Sequence, residues 1–206
     1  MSDITSFFAF NVVLFFEAFV LLFAVMDAVG TVPIFLGLTQ GYTGSRRKIV
    51  KSAITISTAI LVLFALFGWL IFDIFAININ DFRVAGGIIL FIVAVDHLRG
   101  VADRSKGLEP SDVAAFPLAT PLLAGPGAIS TVIIISAPPY SPLLALAVVG
   151  CNSVLSYLVL SSSDWVGRVM GQNGTVALSR VTALIIAALA VSFVATGVAG
   201  LFPALQ

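Results

Sequence analysis

Charge is what this chain has least of. Of its 206 residues only ten are Lys or Arg and ten Asp or Glu, whereas about a quarter of an ordinary soluble domain is charged. Twenty charged groups cannot coat a globule of 21.6 kDa, and here they gather in short clusters between long apolar runs, which excludes a soluble enzyme and a disordered chain alike. The equal numbers of cations and anions leave no basic face for nucleic acid and no acidic tail. Cysteine is down to Cys151, inside an apolar run where it reads as a small buried side chain, so neither a disulfide framework nor a cysteine metal cluster is available. Histidine is down to His97, and no metal or cofactor is expected. What remains is 60% hydrophobic with a mean hydropathy of +1.15, the composition of an all-α integral membrane protein.

Six apolar stretches can be read as spans: about Phe7–Leu38, Val50–Phe72, Val84–Leu98, Val113–Ser136, Ser141–Leu160 and Val181–Leu201. The longest connections, Arg99–Asp112 and Ser161–Arg180, are too small for a soluble domain. Residues 1–206 therefore read as a single transmembrane domain whose function lies between its helices. The start, Met1 to Ser6, lacks a cationic leader and no small-residue cleavage site follows, so the first helix is expected to be kept. Nine of the ten cations fall in loops of one side: Arg46, Arg47, Lys48 and Lys51, then Arg99, Arg104 and Lys106, then Arg168 and Arg180. Lys and Arg mark the cytoplasmic side, which puts both termini outside.

Compared with itself at a gap-free offset of 97, the chain matches Gly30 with Gly127, Arg83 with Arg180 and Gly100 with Gly197, and one offset serves all three helix pairs. A three-span unit necessarily reverses direction when duplicated. The expected architecture is six transmembrane helices as two inverted three-helix repeats, about 1–100 and about 101–206, an arrangement found in many secondary transporters.

Helices 1 and 4 are expected to be discontinuous. The first run has 32 residues, roughly 48 Å of helix against a core of about 30 Å, and contains Gly30 and Pro33, both unfavourable within a helix. The fourth carries Pro117, Pro121 and Pro126 with Gly125 and Gly127. Unwound backbone in lipid requires a wet or protein-lined cavity. Second half-helices starting near Thr31 and Gly127 would aim free N–H groups at it, suited to a carboxylate, while carbonyls around Val25–Met26 and Leu123–Ala124 would accept from an ammonium group. The candidate substrate-binding residues are Asp27, Gly30, Thr31, Gly125, Gly127, Ala128, Ser130 and Thr131.

Carboxylates within a span need a partner, a proton or water. Asp27 reads either as a site residue near the substrate ammonium or as a cap on the second half-helix. Glu17 reads either as a carrier of a coupling proton or as a structural hydrogen-bond partner. Both are candidates for proton coupling. Asp96 and His97 read as a solvated helix end, Gly86 and Gly87 as points of close helix packing. Asn152, Ser153, Ser156 and Tyr157 either line the cavity or bond between helices.

The segments Asp27-Ala28-Val29-Gly30-Thr31-Val32-Pro33-Ile34-Phe35 and Pro121-Leu122-Leu123-Ala124-Gly125-Pro126-Gly127-Ala128-Ile129-Ser130-Thr131 resemble the paired motifs of the MarC family, also called the small neutral amino acid transporter family. The likeness extends over essentially the whole chain. One departure is Ala28, where family members usually carry proline. The resemblance implies transport of small neutral amino acids such as glycine and alanine across the cytoplasmic membrane of a bacterium or archaeon. A LysE-like metabolite exporter and a channel are the alternatives. An enzyme is not expected, since the one histidine lies at a span end and no Gly-x-Ser-x-Gly elbow is present.

Overall fold

A computed structural model describes residues 2–39, 42–98 and 110–202, and among these every regular element is helical. In chain order they are α1 (Ser2–Met26), α2 (Ala28–Leu38), a short turn at Thr43–Ser45, α3 (Arg46–Ile74), α4 (Ile79–Leu98), α5 (Pro110–Val113), a wide π-type helix over Ala114–Leu123 interrupted at Phe116 and Thr120, α6 (Pro126–Ile135), α7 (Pro142–Ser161) and α8 (Ser163–Leu201). Among the described residues four helical stretches are long and apolar enough to cross a membrane: Val12–Leu38, Arg46–Ile74, Pro142–Trp165 and Ala183–Leu201. Pro110–Leu123 and Pro126–Ile135, bent by 57° at their junction, make a fifth if taken as one span. The third expected span, α4, is 20 residues long but carries Asp81, Arg83 and Asp96, and falls short of that apolar character.

The start of α4 lies at Ile79 rather than Val84 because Asn78 and Asp81 cap it reciprocally. Asn78 Oδ1 accepts from the N–H groups of Asn80 at 2.7 Å and Asp81 at 2.9 Å, while Asp81 Oδ2 accepts from the Asn78 N–H at 2.9 Å. This is the logic of a capping box. Much of the expected connection Ser161–Arg180 is helix as well. Residues 163–182 contain no proline to stop it, so α8 runs 39 residues from Ser163 into the membrane stretch. Residues 99–109, with Arg99, Gly100, Arg104 and Lys106, lie outside the described residues, as do the side chains of Asp96 and His97.

Chain directions follow from contacts. Gly127 at the start of α6 meets Val25 near the end of α1, whereas Tyr140, beyond the end of α6, hydrogen-bonds Glu17; α6 therefore runs opposite to α1. Helix α7 runs with α1, because Asn152 reaches the Phe19 carbonyl at 3.3 Å while Val159 and Ser162 lie with Val32 and Pro33. The long helices α4 and α8 pack antiparallel. A methyl group added at Gly87 would come 2.8 Å from the Ala190 carbonyl oxygen, and one at Gly197 would come 2.8 Å from that of Asn80. With no water-driven attraction between helices in lipid, such close backbone approach is a main source of cohesion.

The core divides between two clusters. One joins Ala18, Leu22 and Met26 of α1 with Leu61, Ala128, Val132 and Val148. The other joins α2 with α3, α4 and α8 through residues such as Phe35, Val50, Leu90 and Ala190. Cys151, expected inside, is exposed. The buried face of α7 is set by Val148, Asn152, Ser153 and Ser156, and Cys151 falls off that face.

Candidate functional site

The first break is narrower than the sequence implies: within residues 27–33 only Asp27 is interrupted, and the second half-helix starts at Ala28 and not near Thr31. Asp27 alone leaves the helix, with φ 41° and ψ 51°, a left-handed conformation that Asp tolerates better than most side chains. Its own groups repair the interruption. Oδ1 accepts from the Gly30 N–H at 3.0 Å, and the Asp27 carbonyl accepts from the Thr31 N–H at 3.0 Å and from Thr31 Oγ1 at 2.9 Å. Ala28 begins α2 without a proline, and Pro33 sits within α2 without ending it. Gly30 is explained by the same cap, because a Cβ there would collide with the Asp27 carboxylate.

The second break is broad, and prolines account for it. A residue that precedes proline is pushed out of the helical region. Phe116 (φ −136°, ψ 127°) precedes Pro117, and Thr120 (φ −133°, ψ 123°) precedes Pro121. Gly125 (φ −81°, ψ 175°) precedes Pro126, the first residue of α6, and no side chain caps that helix. The Ile129 N–H is taken by the Gly125 carbonyl at 2.9 Å, while those of Gly127 and Ala128 lie in the first turn, where helix geometry supplies no partner. The two breaks thus have different chemistry. Helix α2 carries an anion of its own at its positive end; α6 carries none.

The structure brings the end of α1 against the start of α6. A Cβ on Gly127 would lie 2.7 Å from Val25 Cγ1 and 2.5 Å from Phe193 Cζ. Met26, Ala124, Ala128 and Ile129 share one core cluster. Thr31, Gly125, Ala128, Ser130 and Thr131 are buried, and Asp27, Gly30 and Gly127 half-buried. Gly86 of α4 abuts the Pro126 ring, fixing the start of α6 from the other side. Sequence reasoning missed Val25 as a contact and Phe193 altogether; both are ordinary apolar side chains, and nothing in their local pattern marks them. On the far side of α2 lies an open groove of about 430 Å³, lined by Val29, Val32, Pro33, Leu158, Val159 and Trp165 among others, without charged groups that could hold a zwitterion.

The remaining polar groups sort themselves. Glu17 is on the exposed side of α1 and accepts a hydrogen bond from Tyr140, whose phenol is raised above its ordinary 10.0 first by burial and then by the charge and hydrogen bond of Glu17. Its distance from Asp27 along the helix is about 15 Å. Asn152 bonds α1 at the Phe19 carbonyl, and Ser153 accepts from Thr58 Oγ1 of α3 at 2.6 Å, whereas Tyr157 is exposed. At the far end, Arg46 donates from Nε to Thr39 Oγ1 at 3.1 Å and forms an ion pair with Asp164, tying the starts of α3 and α8 to the end of α2.

A bundle of membrane-length apolar helices with irregular backbone buried among them defines an integral membrane protein. Residues 12–202 match the MarC family of integral membrane proteins. The chain is 38% identical over 203 residues to the UPF0056 membrane protein YvbG of Bacillus subtilis, covering 92% of this chain and 96% of the relative. A UPF0056 membrane protein of Methanocaldococcus jannaschii is 38% identical over 215 residues, covering 95% and 94%. YhcE of Escherichia coli, also a UPF0056 membrane protein, is 32% identical over 214 residues, covering 98% and 99%. No solved structure matches. The chain belongs to the MarC family, which occurs in bacteria and archaea.

Proposed function

We propose that this protein is a secondary transporter that carries small neutral amino acids, glycine and alanine above all, across the cytoplasmic membrane by alternating access. In this reading α4 is a sixth crossing and the single transmembrane domain is two inverted repeats, about 1–100 and about 101–206. Support for the repeat comes from the half-helices: the N-caps Asp27 of α2 and Gly125 of α6 lie within one residue of the offset of 97. The antiparallel packing of α4 and α8 is what inversion requires. The cation-rich loops face the cytoplasm and both termini lie outside.

The observation that carries the reading is the uncapped start of α6, held inside the bundle against the end of α1. Its free N–H groups at Gly127 and Ala128, with the positive end of the helix dipole, suit a substrate carboxylate, and the Ser130 and Thr131 hydroxyls stand one turn on. Asp27, Gly30 and Thr31 form the wall on the α2 side, with Asp27 capping α2 and lending negative charge to the cavity. Val25 and Phe193 limit the volume, so glycine, alanine and serine fit. No Lys or Arg lies in the stretches Val12–Leu38 or Pro126–Ile135 to balance a net-charged substrate. A coupling proton is carried by Glu17 or Asp27. Competition for glycine exchange in proteoliposomes tests the site: glycine and alanine should compete, leucine, phenylalanine and charged amino acids should not, and Gly127→Val should abolish exchange. Equal competition by leucine and glycine, or undiminished glycine exchange in Gly127→Val, would contradict it.

A further inference from the structure

Among the described residues, four buried side-chain oxygens have no hydrogen-bond partner: Ser130 Oγ, Asn152 Oδ1, Ser156 Oγ and Ser161 Oγ. Burial has cost each of them its water, and native interiors leave few such atoms unpaired. Ser161 is the last residue of α7. The other three lie deep in the bundle, at 3%, 0% and 0% exposure, and they converge in height.

Asn152 Nδ2 donates to the Phe19 and Val148 carbonyls at 3.3 and 3.0 Å, which fixes the amide at the level of the Phe19 carbonyl on α1 and leaves Oδ1 without a donor. Ser156 is one turn further along α7, about 6 Å towards the level of Asp27. Ser130 is three residues beyond Gly127, and α6 runs opposite to α1, so it stands about 4.5 Å from the Val25 level towards that of Phe19. It therefore falls between Asn152 and Ser156 in height. The helices that carry these residues, α6 and α7, pack on each other and both pack on α1 and α3. The result is three neutral acceptors from two helices, of which Ser130 stands about one helical turn from the N–H groups of Gly127 and Ala128.

We propose that Ser130 Oγ, Asn152 Oδ1 and Ser156 Oγ form the ammonium subsite of the transporter, each accepting one of the three N–H bonds of a primary α-ammonium group whose carboxylate is held at the start of α6. The inference rests on the transport reading above and adds to it a recognition element on α7. Neutral oxygens recognise an ammonium group by hydrogen-bond count, so selectivity is for a primary amine over its N-methylated forms. Ser130, about one turn along α6 from Gly127, links the subsite to the carboxylate position, as an α-amino acid with one carbon between its charged groups requires.

The experiment is glycine counterflow in proteoliposomes with glycine, N-methylglycine and N,N-dimethylglycine as competitors, on wild type, Ser156→Ala and Ser130→Ala, with the thermal midpoint of each purified protein measured alongside. Removing an oxygen that has no partner should leave folding intact or improve it. Each variant should nevertheless lose roughly tenfold in apparent affinity for glycine, the loss expected for one hydrogen bond to a charged group, and much less for N,N-dimethylglycine, so that the preference for the primary amine narrows. Glycine affinity and methylation preference unchanged in both variants would overturn the subsite while leaving the transport reading standing. Lower midpoints with unchanged affinity would also overturn it, since the hydroxyls would then be structural. Wild-type protein without glycine counterflow would overturn the transport reading itself, and the subsite with it.

Discussion

Asp27 accepts the Gly30 backbone N–H at 3.0 Å, so the first half-helix break closes on a residue of its own chain. Aspartate does two things there. Its backbone takes the left-handed turn that interrupts the helix, and its carboxylate fills the anion position at the start of α2. The second break has no such residue: Ala124 stands where Asp27 would be at the repeat offset, and no side chain caps α6. Two motifs that look alike in sequence thus end in helix starts of different chemistry, one capped by its own carboxylate and one uncapped.

The cap makes a prediction of stability. Asp27→Ala should cost about 1 kcal/mol, the usual worth of an N-cap, and Asp27→Asn much less, because asparagine caps equally well and also accepts the left-handed turn. Gly30→Ala should destabilise through the collision of its methyl with the carboxylate. Thermal unfolding in detergent micelles measures all three, and an Asp27→Ala protein as stable as wild type would show the cap to be idle.

A second prediction concerns Glu17 and Tyr140. Burial and the neighbouring carboxylate raise the Tyr140 phenol above 10.0, so this pair stabilises the fold below pH 10.0 and the contribution fades as pH climbs through the raised value. Glu17→Gln should bring the phenol down, read as the tyrosinate absorbance lost between each protein and its Tyr140→Phe counterpart. Transport gives the companion test of coupling. If a proton rides on Glu17 or Asp27, Glu17→Gln or Asp27→Asn should change the pH profile of uptake while exchange survives; wild-type profiles in both would remove these carboxylates from the coupling step.

Topology is open to direct labelling. In a Cys151→Ser background, which removes an exposed thiol, a cysteine at Thr43 should react only from the cytoplasmic side and one at Ser141 only from outside. External labelling of Thr43 in sealed cells would reverse the orientation.

Much of this was legible in the sequence, for identifiable reasons. Composition and run length gave the helical membrane class, and the prolines after Phe116, Thr120 and Gly125 gave the second break, because the restriction on a pre-proline residue is local. Asp27 caps the second half-helix, as one reading of the sequence has it, but that half-helix starts at Ala28 and not near Thr31, since Gly30 is the more visible helix breaker while Asp27 acts through a side-chain bond. Asn78 and Asp81 carried a readable capping signal for α4, but hydropathy stops at Val84. What the sequence could not show is which distant apolar side chains meet. The contact of Gly127 with Val25 and Phe193 depends on how α1, α6 and α8 pack, and no local pattern encodes it.

The central claim, an alternating carrier for small neutral amino acids, is tested most directly by loading proteoliposomes with unlabelled glycine and adding labelled glycine outside at low concentration. A carrier that returns faster when loaded should give transient accumulation of label above its equilibrium level. Label that only equilibrates, at a rate independent of internal glycine, would contradict the account and point to a channel.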